Sequence, residues 1–151
     1  MKKIEMVDLK GQYKKIEKEI NSSISNVIKN TSFINGPSVL NFRDNLKEYL
    51  GVKHVITCAN GTDALQICLM SLDLKPGDEV ITTDFTFAST VEVIMLLGLT
   101  PVLVDVDPVN FNIDMQKIRK SITKKTKVII PVHLFGQSVD MDELLSISQE
   151  F

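Results

Sequence analysis

The residues best suited to chemistry lie in the run Thr57-Cys58-Ala59-Asn60-Gly61-Thr62-Asp63-Ala64-Leu65. A glycine that permits a tight turn comes just before a hydroxyl and a carboxylate, where a helix is predicted to begin. The first N–H groups of a helix lack acceptors within it and its dipole is positive there, so this place favours a phosphate. Thr62 could add a hydroxyl donor. Capping of the helix by Asn60, Thr62 or Asp63 is the alternative that the residues leave open.

Two further runs carry polar or aromatic groups just after predicted strands. They are Asp84-Phe85-Thr86-Phe87-Ala88-Ser89-Thr90 and Pro131-Val132-His133-Leu134-Phe135-Gly136-Gln137. Phe85 and Phe87 could offer a ring face to a flat cofactor, or they could be core residues at the rim of a sheet. His133 and Gln137 follow a strand at the end where open α/β sheets bind ligands, although a single histidine here is more often a hydrogen-bonded structural residue than a catalyst.

The first part of the chain must be helical. Apolar residues recur at steps of three and four between residues 13 and 28, which predicts one amphipathic helix. Residues 31–37 read as a loop, after which Ser38 is predicted to cap a second helix that Gly51 ends. We therefore predict a helical amino-terminal arm over residues 1–50.

From residue 51 the pattern changes to alternating strands and helices. The predicted strands are Val55–Cys58, Glu79–Thr82, Pro101–Asp105 and Val128–Val132. Four helices are predicted. The first begins near Thr62, and the second covers Ala88 to Leu97 and stops at Gly98. The third follows a cap at Asp114, and the fourth begins near Asp140. Continuous Val/Ile/Leu strands are typical of parallel sheets covered on both faces, so residues 51–151 are predicted to form an α/β domain.

Composition excludes several classes of function. With 151 residues, 44% of them hydrophobic and 24% charged, the chain is predicted to fold, and its net charge of −2 gives no electrostatic footprint for nucleic acid. The two cysteines do not have the spacing of a zinc site, and we predict no metal. The apolar stretch from Val93 to Val104 is too short and interrupted to span a membrane, and no signal peptide follows Met1, so a cytoplasmic protein is expected.

Taken together, the motifs resemble the DegT/DnrJ/EryC1/StrS family of nucleotide-sugar aminotransferases, which depend on pyridoxal 5'-phosphate. The resemblance covers essentially the whole chain. It is carried, in order, by Val7–Tyr13, Phe33–Pro37, Cys58–Leu65, Pro76–Val80, Phe85–Phe87, Val104–Pro108, Thr126-Lys127 and Pro131–Gln137. It implies the large-domain portion of the type I aminotransferase fold, with parallel strands flanked by helices and incomplete at its carboxyl end. It also implies a homodimer with active sites at the subunit interface.

The resemblance assigns roles to several residues. Gly61, Thr62 and Asp63 would hold the cofactor phosphate, and Phe87 would stack on the pyridine ring. The loop from Phe33 to Pro37 would lie near the entrance to the site. Within that loop the substrate residues implied are Phe33, Asn35 and Gly36. The resemblance implies no role for His133 or Gln137.

The family's cofactor-linked lysine and the aspartate that pairs with the pyridine nitrogen would both lie beyond Phe151. We therefore expect the chain to be an amino-terminal fragment that is inactive alone, because these two groups make the ring an electron sink. The parent reaction implied is ping-pong transfer of an amino group from glutamate to a nucleotide-linked keto-sugar, for surface-polysaccharide or amino-sugar biosynthesis. Among possible substrates, the run from Cys58 to Ile67 slightly favours UDP-linked 3-keto-hexuronates. The dTDP-linked keto-deoxyhexoses remain alternative substrates.

Three other functions remain for comparison. A keto-sugar dehydratase of the same family would carry a histidine in place of the lysine. A non-catalytic α/β binding module would need no catalytic half at all. A nicotinamide-dependent oxidoreductase is disfavoured, because no second glycine follows Gly61 in the spacing of a dinucleotide fingerprint.

Overall fold

The computed structural model describes residues 6–151, which contain six α-helices, three β-strands and one short 3-10 turn. The helices are α1 (Leu9–Lys29), α2 (Pro37–Leu50), α3 (Gly61–Met70), α4 (Ser89–Leu96), α5 (Met115–Ser121) and α6 (Met141–Glu150). The strands are β1 (Glu79–Thr83), β2 (Thr100–Val104) and β3 (Thr126–Ile130). None of these helices is both long and apolar enough to cross a lipid bilayer.

The chain divides into two compact units, a helical unit that ends at Thr57 and an α/β unit that begins at Cys58. In the helical unit, the Asp8 carboxylate accepts from the Gly11 N–H at 2.9 Å and starts α1. Gly51 ends α2, as predicted, in a left-handed conformation with φ 65°. Neither helix contains a buried residue, so the apolar stripe of α1 is not covered.

The predicted cap at Ser38 is wrong. The structure starts α2 two residues earlier, with Gly36 at the cap position and Pro37 as the first helical residue. Proline suits that position because its fixed φ is helical and its missing N–H would have had no acceptor there. No side chain is therefore needed to cap this helix, and none does so.

The α/β unit is built on a parallel three-stranded sheet in the order β2-β1-β3. The central strand β1 is buried from Val80 onward, while its neighbours are the two edges. The Thr82 hydroxyl, fully buried, donates to the Ile130 carbonyl at 3.0 Å and ties β1 to β3 near their carboxyl ends. The predicted α/β class with parallel strands flanked by helices is confirmed.

Helices cover the sheet on both faces. Successive strand residues point to opposite faces, so Val80 and Ile81 belong to different cores. Val80 packs with residues of α3 and α4, namely Leu69, Val93 and Ile94. Ile81 packs with residues of β2, α5 and α6, including Val104, Ile118, Leu144 and Ile147. The layers are therefore α3 and α4, the sheet, then α5 and α6.

The strand predicted at Val55–Cys58 does not form in the described chain. These residues have no regular secondary structure, and Ile56 is 83% exposed. A strand exists only when its N–H and C=O groups pair with a neighbour. Within residues 6–151 this β-prone run pairs with no strand. The other three predicted strands are confirmed.

Candidate functional site

The topology places a crevice at the carboxyl ends of β1 and β3. The chain leaves β1 toward α4 on one face of the sheet and leaves β3 toward α6 on the opposite face. Where neighbouring strands send their connections to opposite faces, the two loops diverge and leave a gap between them. Ligands of open α/β sheets bind in such gaps.

A cleft of about 510 Å³ occupies this position. Three segments line it, from the start of α3, from the connection between β1 and α4, and from the loop after β3. The lining residues are Gly61, Thr62, Leu65, Thr86, Phe87, Ser89, Thr90, Val132, His133, Leu134 and Phe135. Its volume lies in the range of small-molecule and cofactor sites. The lining contains no carboxylate, so an anion meets no like charge among these residues.

At the start of α3, one backbone N–H group is capped by a side chain and two others have no acceptor within residues 6–151. The Asn60 side chain accepts from the Asp63 N–H at 2.9 Å and donates to the Asp63 carboxylate at 3.1 Å. Helix capping by Asn60 is therefore confirmed, and Asp63 is engaged with the cap rather than lining the cleft. The N–H groups of Gly61 and Thr62 have no acceptor in the described chain, and these two residues do line the cleft.

Open space lies beside Gly61. A Cβ built on this glycine would have no heavy atom within 4 Å. An anion can therefore approach the backbone closely at the point where the uncapped N–H groups and the positive end of the helix dipole coincide. This is the geometry that a phosphate requires.

Phe87 presents its ring to solvent at the cleft, with 78% of the residue exposed. It is therefore not the core residue that the sequence left open as an alternative. Phe85 behaves differently, because it makes edge-to-face contacts with Phe111 and Phe135, with ring centroids 6.1 Å and 6.5 Å apart. Phe85 thus stiffens the rim, and Phe87 is the ring available for stacking on a planar ligand.

His133 lies in the cleft lining, whereas Gln137 does not. The Nδ1 of His133 accepts from the N–H of Val139 at 3.0 Å, so one side of the imidazole has a structural role. Gln137 lines a separate cavity whose lining includes the carboxylates of Asp107, Asp114, Asp140 and Glu143. Ser89 and Thr90, which were not predicted as site residues, also line the cleft. The signal that could have found them is their position at the start of α4, the helix that follows β1.

The residues predicted to touch substrate belong to the helical unit. Phe33 is 64% exposed, Asn35 has a left-handed backbone with φ 48°, and Gly36 caps α2. A Cβ on Gly36 would lie 2.5 Å from the Ser32 carbonyl oxygen, so only glycine fits there. The loop is therefore sharply shaped, and its role toward a substrate stays a prediction.

An ion pair joins α5 to the residue that follows β2. Lys117 Nζ lies 2.8 Å from the Asp105 carboxylate. The hydrogen bond from Lys117, helped by one from the Val106 N–H, holds the pKa of Asp105 below its ordinary value. The same hydrogen bond to Asp105 raises the pKa of Lys117. Both groups are solvent-exposed, so the pair locates α5 rather than tuning an acid or base for catalysis.

Comparison with known proteins places the chain among aminotransferases of one family. A profile of the DegT/DnrJ/EryC1/StrS aminotransferase family matches residues 14–151. The UDP-2-acetamido-2-deoxy-3-oxo-D-glucuronate aminotransferase of Pseudomonas aeruginosa is 46% identical over 148 residues, which are 98% of this chain. They are only 41% of that protein, so the chain spans about two fifths of its relative's length.

Solved structures agree in fold. A DegT DnrJ EryC1 StrS aminotransferase from Brucella abortus superposes with a TM-score of 0.92 at 41% identity, covering 98% of this chain and 42% of that one. NtdA from Bacillus subtilis, solved with bound cofactor PMP, superposes with a TM-score of 0.85 at 38% identity. That match covers 88% of this chain and 31% of NtdA.

Proposed function

Because the chain belongs to the DegT/DnrJ/EryC1/StrS aminotransferase family, we propose that it is the amino-terminal part of an aminotransferase that aminates a nucleotide-linked keto-sugar. The observation that carries this proposal is the cleft at the carboxyl ends of β1 and β3. It combines the uncapped N–H groups of Gly61 and Thr62 with the exposed ring of Phe87. A phosphate and a flat ring on one ligand match that pair of features.

The cleft residues fit pyridoxal 5'-phosphate. Gly61 and Thr62 would hold its phosphate through their N–H groups, and the open space beside Gly61 admits it without displacing any side chain. Phe87 would cover one face of the pyridine ring and keep water from it. Asp63 would not touch the cofactor itself. Its hydrogen bonds with Asn60 would hold the cap and the first turn of α3 in place.

When bound, pyridoxal phosphate supplies an aldehyde that accepts an amino group from a donor and passes it to a ketone. The chain's part in that reaction is to bind and orient the cofactor. The lysine that would link to the cofactor, and the aspartate that would face its pyridine nitrogen, are proposed to lie in the remaining part of the enzyme. Lys127 does not substitute for that lysine, because it lies near the amino end of β3 and the cleft is at the carboxyl end.

For the substrate we propose a UDP-linked 3-keto-hexuronate, with glutamate as the amino donor. The support is the 46% identity to an aminotransferase whose name specifies a UDP-linked 3-oxo-glucuronate, together with the run from Cys58 to Ile67. The product would be an amino sugar for surface polysaccharide. A homodimer, implied by the resemblance, and a cytoplasmic location, expected from the sequence, stay predictions.

The cofactor site can be tested on this chain. We expect it to bind pyridoxal phosphate in a fluorescence titration and inorganic phosphate to compete. Thr62→Val should weaken binding about tenfold through loss of the hydroxyl donor. Thr100→Val is the matched control, because Thr100 is exposed at the amino end of β2, away from the cleft. Absence of binding, or equal loss in both variants, would overturn the cofactor site.

The reaction needs the full-length enzyme. Glutamate-dependent conversion of a UDP-linked 3-keto-hexuronate to its amino sugar, followed by mass spectrometry, would support the proposal. Loss of water from the sugar without amination would instead identify the dehydratase. If the full-length protein binds cofactor but turns over neither type of sugar, the binding-module alternative is favoured.

A further inference from the structure

His133 uses its two imidazole nitrogens differently. Nδ1 accepts from the backbone N–H of Val139 at 3.0 Å, and Val139 is a core residue with 2% exposure. Within residues 6–151, Nε2 makes no hydrogen bond, although His133 is exposed and lines the cleft. One nitrogen is therefore anchored to the core, and the other is available to a ligand.

The anchored bond fixes the tautomer. A nitrogen that accepts a hydrogen bond carries no proton, so the neutral imidazole of His133 carries its proton on Nε2. The two nitrogens project from different sides of the ring, so Nε2–H points away from Val139. His133 therefore offers a donor whose direction is set by the buried end of the loop after β3.

The position of His133 favours the ring end of a ligand over its phosphate end. His133 follows β3 and Phe87 follows β1, and these strands are direct neighbours tied together by the bond from Thr82 to Ile130. The phosphate donors belong to the start of α3, which is a different segment of the cleft lining. The imidazole and the Phe87 ring therefore follow neighbouring strands and line the same cleft.

We propose that His133 is a cofactor-binding residue whose Nε2–H donates a hydrogen bond to an oxygen acceptor on the ring portion of pyridoxal phosphate. This inference rests on the proposed function, because it requires that cofactor in the cleft. It assigns the second nitrogen a role that neither the Val139 bond nor general packing explains.

Nuclear magnetic resonance of the wild-type chain tests the donor directly. The sequence contains two histidines, His54 and His133, so His54→Asn assigns the imidazole signals. Two-bond proton–nitrogen spectra should show His133 protonated at Nε2. Adding pyridoxal phosphate should shift that nitrogen, while inorganic phosphate alone should leave it in place. A proton on Nδ1, or no shift with a saturating amount of bound cofactor, would overturn the proposal.

Two substitutions separate the donor from the anchor. In His133→Asn the short amide can still accept from the Val139 N–H but no longer reaches the Nε2 position. In His133→Gln the longer amide reaches the Nε2 position with an N–H but gives up the Val139 bond. We expect His133→Asn to bind pyridoxal phosphate about tenfold more weakly with unchanged affinity for inorganic phosphate. His133→Gln should retain more cofactor affinity while melting about 4 °C lower.

The outcomes distinguish this inference from the proposed function. Cofactor binding by wild type that is unaffected in His133→Asn overturns the role of His133 and leaves the cofactor site standing. A wild-type chain that binds no pyridoxal phosphate overturns both. Equal weakening for cofactor and for inorganic phosphate would place the imidazole on the phosphate and overturn the ring assignment. His54→Asn should match wild type in every titration.

Discussion

At the scale of single residues, Gly61 is placed where a side chain would harm binding but not folding. Its backbone is not left-handed, and a Cβ would meet no heavy atom within 4 Å. Gly61→Val should therefore change the free energy of unfolding by less than about 1 kcal/mol. The added methyl groups would stand in the space proposed for the phosphate, so affinity for pyridoxal phosphate should fall at least about tenfold. Urea unfolding and fluorescence titration measure the two effects.

Gly98 serves as a control, because a side chain there is expected to harm folding and not cofactor binding. Its φ is 72°, a left-handed conformation that a β-branched residue adopts only with strain. Gly98→Val should lower the free energy of unfolding by about 1–3 kcal/mol and leave the cofactor affinity of the folded protein unchanged. If Gly61→Val bound the cofactor as wild type does, the phosphate would not lie beside Gly61.

The cap at Asn60 is a second residue-scale prediction. Asn60→Ala removes the acceptor for the Asp63 N–H and the bond to the Asp63 carboxylate. We expect it to lower the free energy of unfolding by about 1 kcal/mol. Gln149→Ala, at an exposed position of α6 in the same unit, should cost nothing measurable by urea unfolding. Equal effects in the two variants would show that the cap does not hold α3.

At the scale of elements, the pair of Asp105 and Lys117 fixes α5 against β2 and predicts how stability depends on pH. The pKa of Asp105 is lowered, so its contribution is present above about pH 4 and is lost as the pH falls through the folded-state pKa. The pKa of Lys117 is raised, so its contribution is present below about pH 10 and is lost as the pH rises through the folded-state pKa.

Asp105→Asn isolates this charge, because an amide oxygen can still accept from the Val106 N–H. Wild type should be more stable than Asp105→Asn at pH 7, and the difference should shrink below about pH 4. Because the two side chains are exposed, the difference should be small and should fall further in high salt. Melting curves at several pH values and salt concentrations measure it. A difference that grows as the pH falls would contradict the assignment.

At the scale of the whole molecule, much apolar surface is uncovered. Of the three strands in residues 6–151, two are edges, and a cavity of about 740 Å³ lies between β3 and α6. Among its lining residues are Ile129 and two exposed apolar residues, Leu145 and Phe151, at 52% and 70%. Exposed strand edges and apolar grooves promote association.

We therefore expect this chain alone to self-associate, as measured by sedimentation velocity. Leu145→Lys should reduce the association while leaving the melting temperature within a few degrees, because the position is already half exposed. Ser146→Lys, at a neighbouring exposed position of α6 that does not line the cavity, controls for the added charge. A monodisperse wild-type monomer at high concentration would contradict this prediction.

Local chemistry was readable from the sequence. Asp114 caps α5 by accepting from the N–H groups of Gln116 and Lys117, and Asp140 caps α6 by accepting from Glu143. Gly51 and Gly98 end their helices with a positive φ. These features depend on interactions between residues a few positions apart, so residue type and spacing predict them. The Ser38 cap failed because Pro37 competes for the same helix start.

The sequence by itself determined the helices, three strands, the parallel α/β class and the family. Periodicity, capping and the order of motifs depend only on residue types and their spacing in the sequence. Only the tertiary structure decided which strand ends meet. The order β2-β1-β3 brings His133 into one cleft with Gly61 and Phe87 and leaves Gln137 outside it. The structure also shows that, within residues 6–151, residues 55–58 pair with no strand. Strand pairing joins residues that are distant in sequence, so no local pattern can specify it.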